Sequence, residues 1–229
     1  MSAVSSFRKA LQDAVMERHC ANHPMTRKWA EGTLSRNGLK GIAVEHYHWI
    51  SHAAEWDFAI SAKSPMDVIA LQIENWSEET DAATPHLDII LRFAKANGAD
   101  LDKVRAGRGL PTTRSWVNFL KMTAIEQPWW CGIAAVRVGT ESQSPLLYSS
   151  VLKALREVYK YPERDIEHFW LHSEVDIAHG DRGFAVLEKH CTTREMQDQA
   201  IHFARESARM RWFYFDGIYL HYEQGYDFV

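Results

Sequence analysis

An all-α fold is predicted by three features of the sequence. Apolar residues recur at spacings of three and four over long stretches. Period-two alternation bounded by turns is scarce, and the dipeptide Asn37-Gly38, a hairpin signal elsewhere, is flanked by helical patterns. Proline and glycine fall where one helix would hand over to the next.

The spacing predicts helices at about 5–21, 37–62, 65–81, 84–97, 112–125, 128–159, 162–180 and 193–222. The first is amphipathic and lacks the apolar run of a signal peptide. The second carries the stripe Ile42, Trp49, Ala53, Trp56 and Ile60. Ser64-Pro65 starts the third. Gly98 follows the fourth, and Gly107-Arg-Gly109-Leu-Pro111 precedes the fifth. Pro128 and Pro162 open the sixth and seventh, and Thr192-Thr193 supplies a capping hydroxyl for the last. Pro85 and Pro145 fall inside helical patterns. Pro145 cannot donate to the carbonyl of Glu141, so a break or kink is expected there. Without repeat, low-complexity tract or linker, one domain over residues 1–229 is the simplest reading.

Composition excludes several classes. A formal net charge of −4 is a poor match to a nucleic-acid partner. No run of eighteen apolar residues predicts a membrane span. Cys20, Cys131 and Cys191 are odd in number and far apart, which disfavours a disulfide framework or a zinc finger; a cytoplasmic protein is expected. Nine tryptophans supply core volume and material for an organic-ligand pocket.

His172, Asp176 and His179 are spaced four and then three apart. On a helix they fall within about 60° of one another, a stripe able to hold one ion. Imidazole with carboxylate suits iron or manganese more than zinc. Glu79 and His86 lie seven apart across Pro85, and Glu141 is the acidic residue of a mostly apolar helix. Together the six residues can hold two divalent ions, which would compensate for buried carboxylates. A rival set, Glu45, His48, His52 and Glu55, flanks the apolar stripe of the second helix. Glu45-x-x-His48 is also a ferritin-like pattern, but those bundles need it twice and it occurs once.

From about His23 to position 215 the chain resembles the heme-oxygenase-like diiron oxidases of the TenA/PqqC superfamily, and within it the p-aminobenzoate-forming branch. The resemblance rests on His-Pro-Met-Thr-Arg-Lys-Trp at 23–29, Glu78-Glu79 with Pro85-His86, Glu141-Ser-Gln-Ser-Pro145, and His172-x-x-x-Asp176-x-x-His179. It implies a seven-helix heme-oxygenase-like bundle without heme. It also implies two iron ions, or iron with manganese at one site, on Glu79, His86, Glu141, His172, Asp176 and His179, with O2 as co-substrate. The p-aminobenzoate-forming branch uses a tyrosine and a lysine where this chain has Thr26 and Val151. Lys153 is two residues on, a rotation of about 200°. Relatives acting on free amino acids, amines or fatty acids remain; the tryptophans spread over facing helices favour a small aromatic, tryptophan-like amino acid over a fatty acid. Desaturation, C–C cleavage, N-oxygenation or nitrile formation are the outcomes the resemblance implies.

Arg137, one turn before Glu141, can anchor a substrate carboxylate or neutralise nearby acids. Trp130 and His52 are further substrate-binding candidates, and His168 a group supporting His172. An external electron donor and a homodimer are expected. The alternatives are a metal-free TenA- or PqqC-like enzyme of cofactor metabolism, for which Cys131 would be the nucleophile of a thiaminase, and a p-aminobenzoate-synthase-like protein. A non-catalytic interaction protein is a third class, with no use for six such residues.

Overall fold

A computed structural model describes residues 5–80 and 85–228, apart from the side chains at 175, 178 and 179. Every regular element among the described residues is helical. In chain order these are α1 (Ser6–Met16), α2 (Pro24–Ala30), α3 (Arg36–Ile50), α4 (Ala53–Ser61), α5 (Met66–Glu79), α6 (His86–Ala96), α7 (Leu101–Ala106), α8 (Pro111–Glu126), α9 (Trp129–Ile133), α10 (Ser144–Glu157), α11 (Glu167–His190) and α12 (Arg194–Ile218).

Local chemistry accounts for most of the ends. Ser5 accepts from the Arg8 amide, Ser35 from Gly38 and Thr193 from Met196, each satisfying an amide with no partner inside its helix. Pro24 and Pro111 stand in first turns, where a missing N–H costs nothing.

Four expectations need correction. The helix predicted at 37–62 is two helices, broken at Ser51–His52, with the Ser51 hydroxyl donating back to the His48 carbonyl. The helix predicted at 128–159 is interrupted by a π-helical turn, Ala134–Val138, and a 3-10 turn, Glu141–Gln143. Pro145 therefore lies in the first turn of α10 rather than within a kink. The helix predicted to end near 180 runs on to His190 through Gly180 and Gly183. At Gly183 a side chain would stand 2.6 Å from the Arg137 Cβ, so the glycine lets α11 lie directly on the π-turn. Helices α2 and α7 were not predicted; Asp100 caps α7, accepting from the Asp102 and Lys103 amides.

The long α11 and α12 organise the bundle. α11 packs on α10 and on the π-turn, while α12 packs on α1, α8 and the same turn. α3 lies along α6, and α4 along α8. Trp29, Trp56, Trp116, Phe93, Phe169 and Tyr214 are the largest side chains buried between them. The π-turn approaches α12 so closely that a Cβ on Gly139 would lie 2.6 Å from the Ala204 carbonyl oxygen. This wedged turn brings Arg137 and Glu141 to the centre of the bundle.

His19 makes the fold sensitive to acid. It is buried, and its Nδ1 accepts from the Ala21 amide at 3.2 Å. Burial, and then the charge of Arg211, lower its pKa to about 4. Below its ordinary value of 6.5 the unfolded chain takes up a proton that the folded chain refuses. Stability should fall as pH drops from 6.5 towards 4, by roughly 3 kcal/mol from this group. Urea unfolding at pH above and below this window, compared with His19→Asn, checks it: the variant should lose less stability in acid.

Candidate metal centre

Three helices deliver the central cluster. Glu79 is the last residue of α5, His86 the first of α6, and His172 sits in the second turn of α11. One donor atom from each lies within 4.8 Å of the other two. The Glu79 carboxylate contacts His86 Nδ1, and His172 Nε2 is 3.1 Å from the same nitrogen. His172 Nδ1 donates to the His168 carbonyl at 2.7 Å, which leaves the Nε2 lone pair facing the cluster. Metal-binding histidines are oriented by such a bond on the other ring nitrogen. Burial lowers the His172 pKa, so the ring is neutral and can offer that lone pair. The donor set fits a divalent ion of the iron or manganese kind.

Asp176, one turn beyond His172, and Glu141 line the same small cavity, with His46, Trp49, Trp56, Asp57, Arg137 and Tyr148. The cavity has about 30 Å³ of free space. That is about the share of one water molecule, so an organic substrate would require neighbouring side chains to move. The predicted sixth residue, His179, lies on α11, but its side chain is outside the described residues.

Arg137 has its guanidinium committed within the protein. It donates to Gln72 Oε1 at 3.1 Å, to Asp57 Oδ1 at 2.7 Å and to Glu141. Burial raises the Asp57 carboxyl above its ordinary value, opposed by the Arg137 guanidinium 2.7 Å away. Asp57 and Glu141 in turn hold Arg137 charged. These contacts commit Arg137 to neighbouring acids, the second of the two roles expected of it.

Trp130 donates to Gln199 at 3.1 Å and does not line the cavity. His52 pairs with Glu55 and faces a different cleft. Neither residue lines the cavity beside Glu79 and His172. Among the described residues the rival set does not gather on one point. Glu45 accepts from the Leu110 amide at 2.8 Å, the Thr113 hydroxyl at 2.6 Å and the Tyr222 hydroxyl at 3.1 Å, tying three elements together.

Sequence reasoning missed Asp57 and His46. Asp57 had a signal, being a lone acid in the apolar run Trp56–Ile60. His46 did not, because it lies beside the more numerous ionisable residues of the other face. The His46 and His168 rings meet edge to face with centroids 4.6 Å apart, and the His168 ring centroid lies 4.1 Å from that of His172. Burial holds both His46 and His168 well below the ordinary imidazole range. His168 supports His172 through its backbone carbonyl, not its ring.

A helical bundle that gathers two buried histidines and a half-buried glutamate around one point, with two further carboxylates nearby on the cavity, defines a helical protein with a candidate metal centre. The chain belongs to the iron-containing redox enzyme family, whose pattern it matches over residues 40–212. It is 26% identical to a 4-aminobenzoate synthase of Nitrosomonas europaea, covering 96% of this chain and 94% of that one. It is also 26% identical to a pyrroloquinoline-quinone synthase of Granulibacter bethesdensis, over 93% and 85% of the two chains. Its fold resembles a domain of unknown function with a heme oxygenase-like fold from Shewanella denitrificans, with a TM-score of 0.81 at 18% identity, covering 97% and 96%. Among the described residues no helix is long and apolar enough to cross a membrane.

Proposed function

We propose that this chain is a dioxygen-using oxidase with a dinuclear iron centre, acting on a small aromatic precursor in the biosynthesis of a cofactor of the 4-aminobenzoate type. The convergence of Glu79, His86 and His172 carries the reading. In it these residues, with Asp176, Glu141 and His179, would hold the two ions. Bound iron would supply the electrons and the coordination positions that dioxygen needs. The protein's own part is distinct. His168 sets the His172 tautomer, Arg137 holds Glu141, and Trp49, Trp56 and Tyr148 exclude water from the cavity.

The similarity to the 4-aminobenzoate and pyrroloquinoline-quinone synthases supports cofactor biosynthesis over the oxidation of a free amino acid. A diffusible precursor is proposed because Thr26 donates to the Cys20 carbonyl at 2.8 Å, Val151 is fully buried, and neither lines the cavity. A cysteine nucleophile is disfavoured. Cys131 is buried, burial pushes its thiol up to about 12, and it too is absent from the cavity wall.

Two measurements test the two parts separately. Anaerobic titration with Fe(II) should load about two irons per chain. A folded protein that retains none would refute the centre. Expression in a bacterial strain unable to make 4-aminobenzoate should restore growth without that compound. Failure to restore growth, with iron loading intact, would refute the product and leave the centre standing.

A further inference from the structure

The other side of α3 borders a second and larger cleft, of about 420 Å³. Tyr47, His48 and Ser51 face it, whereas His46, Trp49 and Ile50 of the same helix face the metal cavity. Helix α8 supplies Thr113, Arg114, Val117 and Lys121, and the end of α7 with the following loop supplies Arg105 and Arg108. Three guanidinium groups and an ammonium group thus gather on one wall of a chain whose formal net charge is −4.

Their partners do not balance them. Lys121 pairs with Glu55 at 2.6 Å, and Glu55 also takes His52. Arg105 lies 3.6 Å from the exposed Asp102. Arg114 donates to the Gly109 carbonyl at 2.8 Å, a bond that orients it without neutralising it. Among the described residues neither Arg108 nor Arg114 has a carboxylate within ion-pair distance.

We propose that this cleft binds a phosphorylated small molecule, its phosphoryl oxygens on Arg108 and Arg114 and its organic body against Tyr47 and Val117. Guanidinium forks match phosphoryl oxygens two by two. A phosphate monoester carries close to two negative charges at neutral pH, matching the two cations left over, whereas one carboxylate would neutralise only one. The volume is within the range that holds a drug-sized ligand, about 300–1,000 Å³. The assignment is independent of the metal centre, which lies on the opposite face of α3.

Calorimetric titration of the full chain with adenosine monophosphate, inorganic phosphate and adenosine tests it. Saturable binding of the monophosphate, and none of adenosine, is expected. Binding of inorganic phosphate as well would show that the phosphoryl group alone suffices; binding of the monophosphate only would show that the organic body contributes. The paired substitution Arg108→Ala/Arg114→Ala should weaken binding by about tenfold or more. Both side chains are exposed, so the fold should persist, as circular dichroism will show. The control pair Lys153→Ala/Arg164→Ala, exposed elsewhere, should leave affinity unchanged. No saturable binding of either phosphate, equal binding of adenosine, or an equal loss in the control pair would each overturn the assignment.

Discussion

Replacing Arg137 by methionine is expected to be the most destabilising single change near the centre. The guanidinium is buried and donates to Asp57, Glu141 and Gln72 at once. Methionine fills much of the volume but leaves the buried Asp57 without the cation that compensates for its burial. Breaking a buried ion pair from one side costs about 3–5 kcal/mol. For a chain of this size the melting temperature should fall by roughly 10 °C or more. Two comparisons separate lost charge from lost packing. In Arg137→Met/Asp57→Leu the stranded acid is gone, so part of the stability should return. Adding Fe(II) to Arg137→Met should also recover part of it, because an ion held by Glu141 replaces the missing positive charge. Equal melting temperatures for the single and double variants would show that the ion pair is not what Arg137 provides.

His172→Gln is expected to leave the fold intact and remove iron retention. Glutamine keeps much of the bulk but not the Nε2 lone pair that the His168 carbonyl orients towards Glu79 and His86. A metal that binds only the folded chain stabilises it by about 2.7 kcal/mol at one hundred times its dissociation constant. In the wild type this should raise the melting temperature by roughly 5–10 °C. In the variant the shift should vanish. The wild-type shift should also fade in acid, because metal ligands must be deprotonated to bind. Burial depresses the His172 pKa, so this ring remains available below the ordinary imidazole value of 6.5. An undiminished iron-induced shift in His172→Gln would remove this histidine from the centre.

Much of the candidate site was legible because helical spacing and residue chemistry carry it together. The four-residue step from His172 to Asp176 places both on the cavity side of α11, as a helix requires. Glu79 and His86 end one helix and begin the next, so the interruption at Pro85 brings them together. The faces of α3 were less legible. His46 and His48 are two residues apart, which on a helix turns them in nearly opposite directions. Periodicity separates these faces, but what each face meets depends on α8 and α11, far away in sequence. The same limit hid Asp57, whose role exists only because the π-turn presents Arg137 to it.

By itself, then, the sequence determined the helical class, most of the helix boundaries that proline, serine and threonine write locally, and the residue types gathered at the centre. These are short-range properties: a cap, a missing N–H or a spacing of four acts within one or two turns. Tertiary structure alone decided that Glu79, His86 and His172 share one point, that Arg137 serves carboxylates, and that α3 divides a metal cavity from a cationic cleft. Those outcomes depend on how distant helices dock. Docking is set by side-chain volume and by close approaches such as Gly139 on Ala204 and Gly183 on Arg137, which no local pattern encodes.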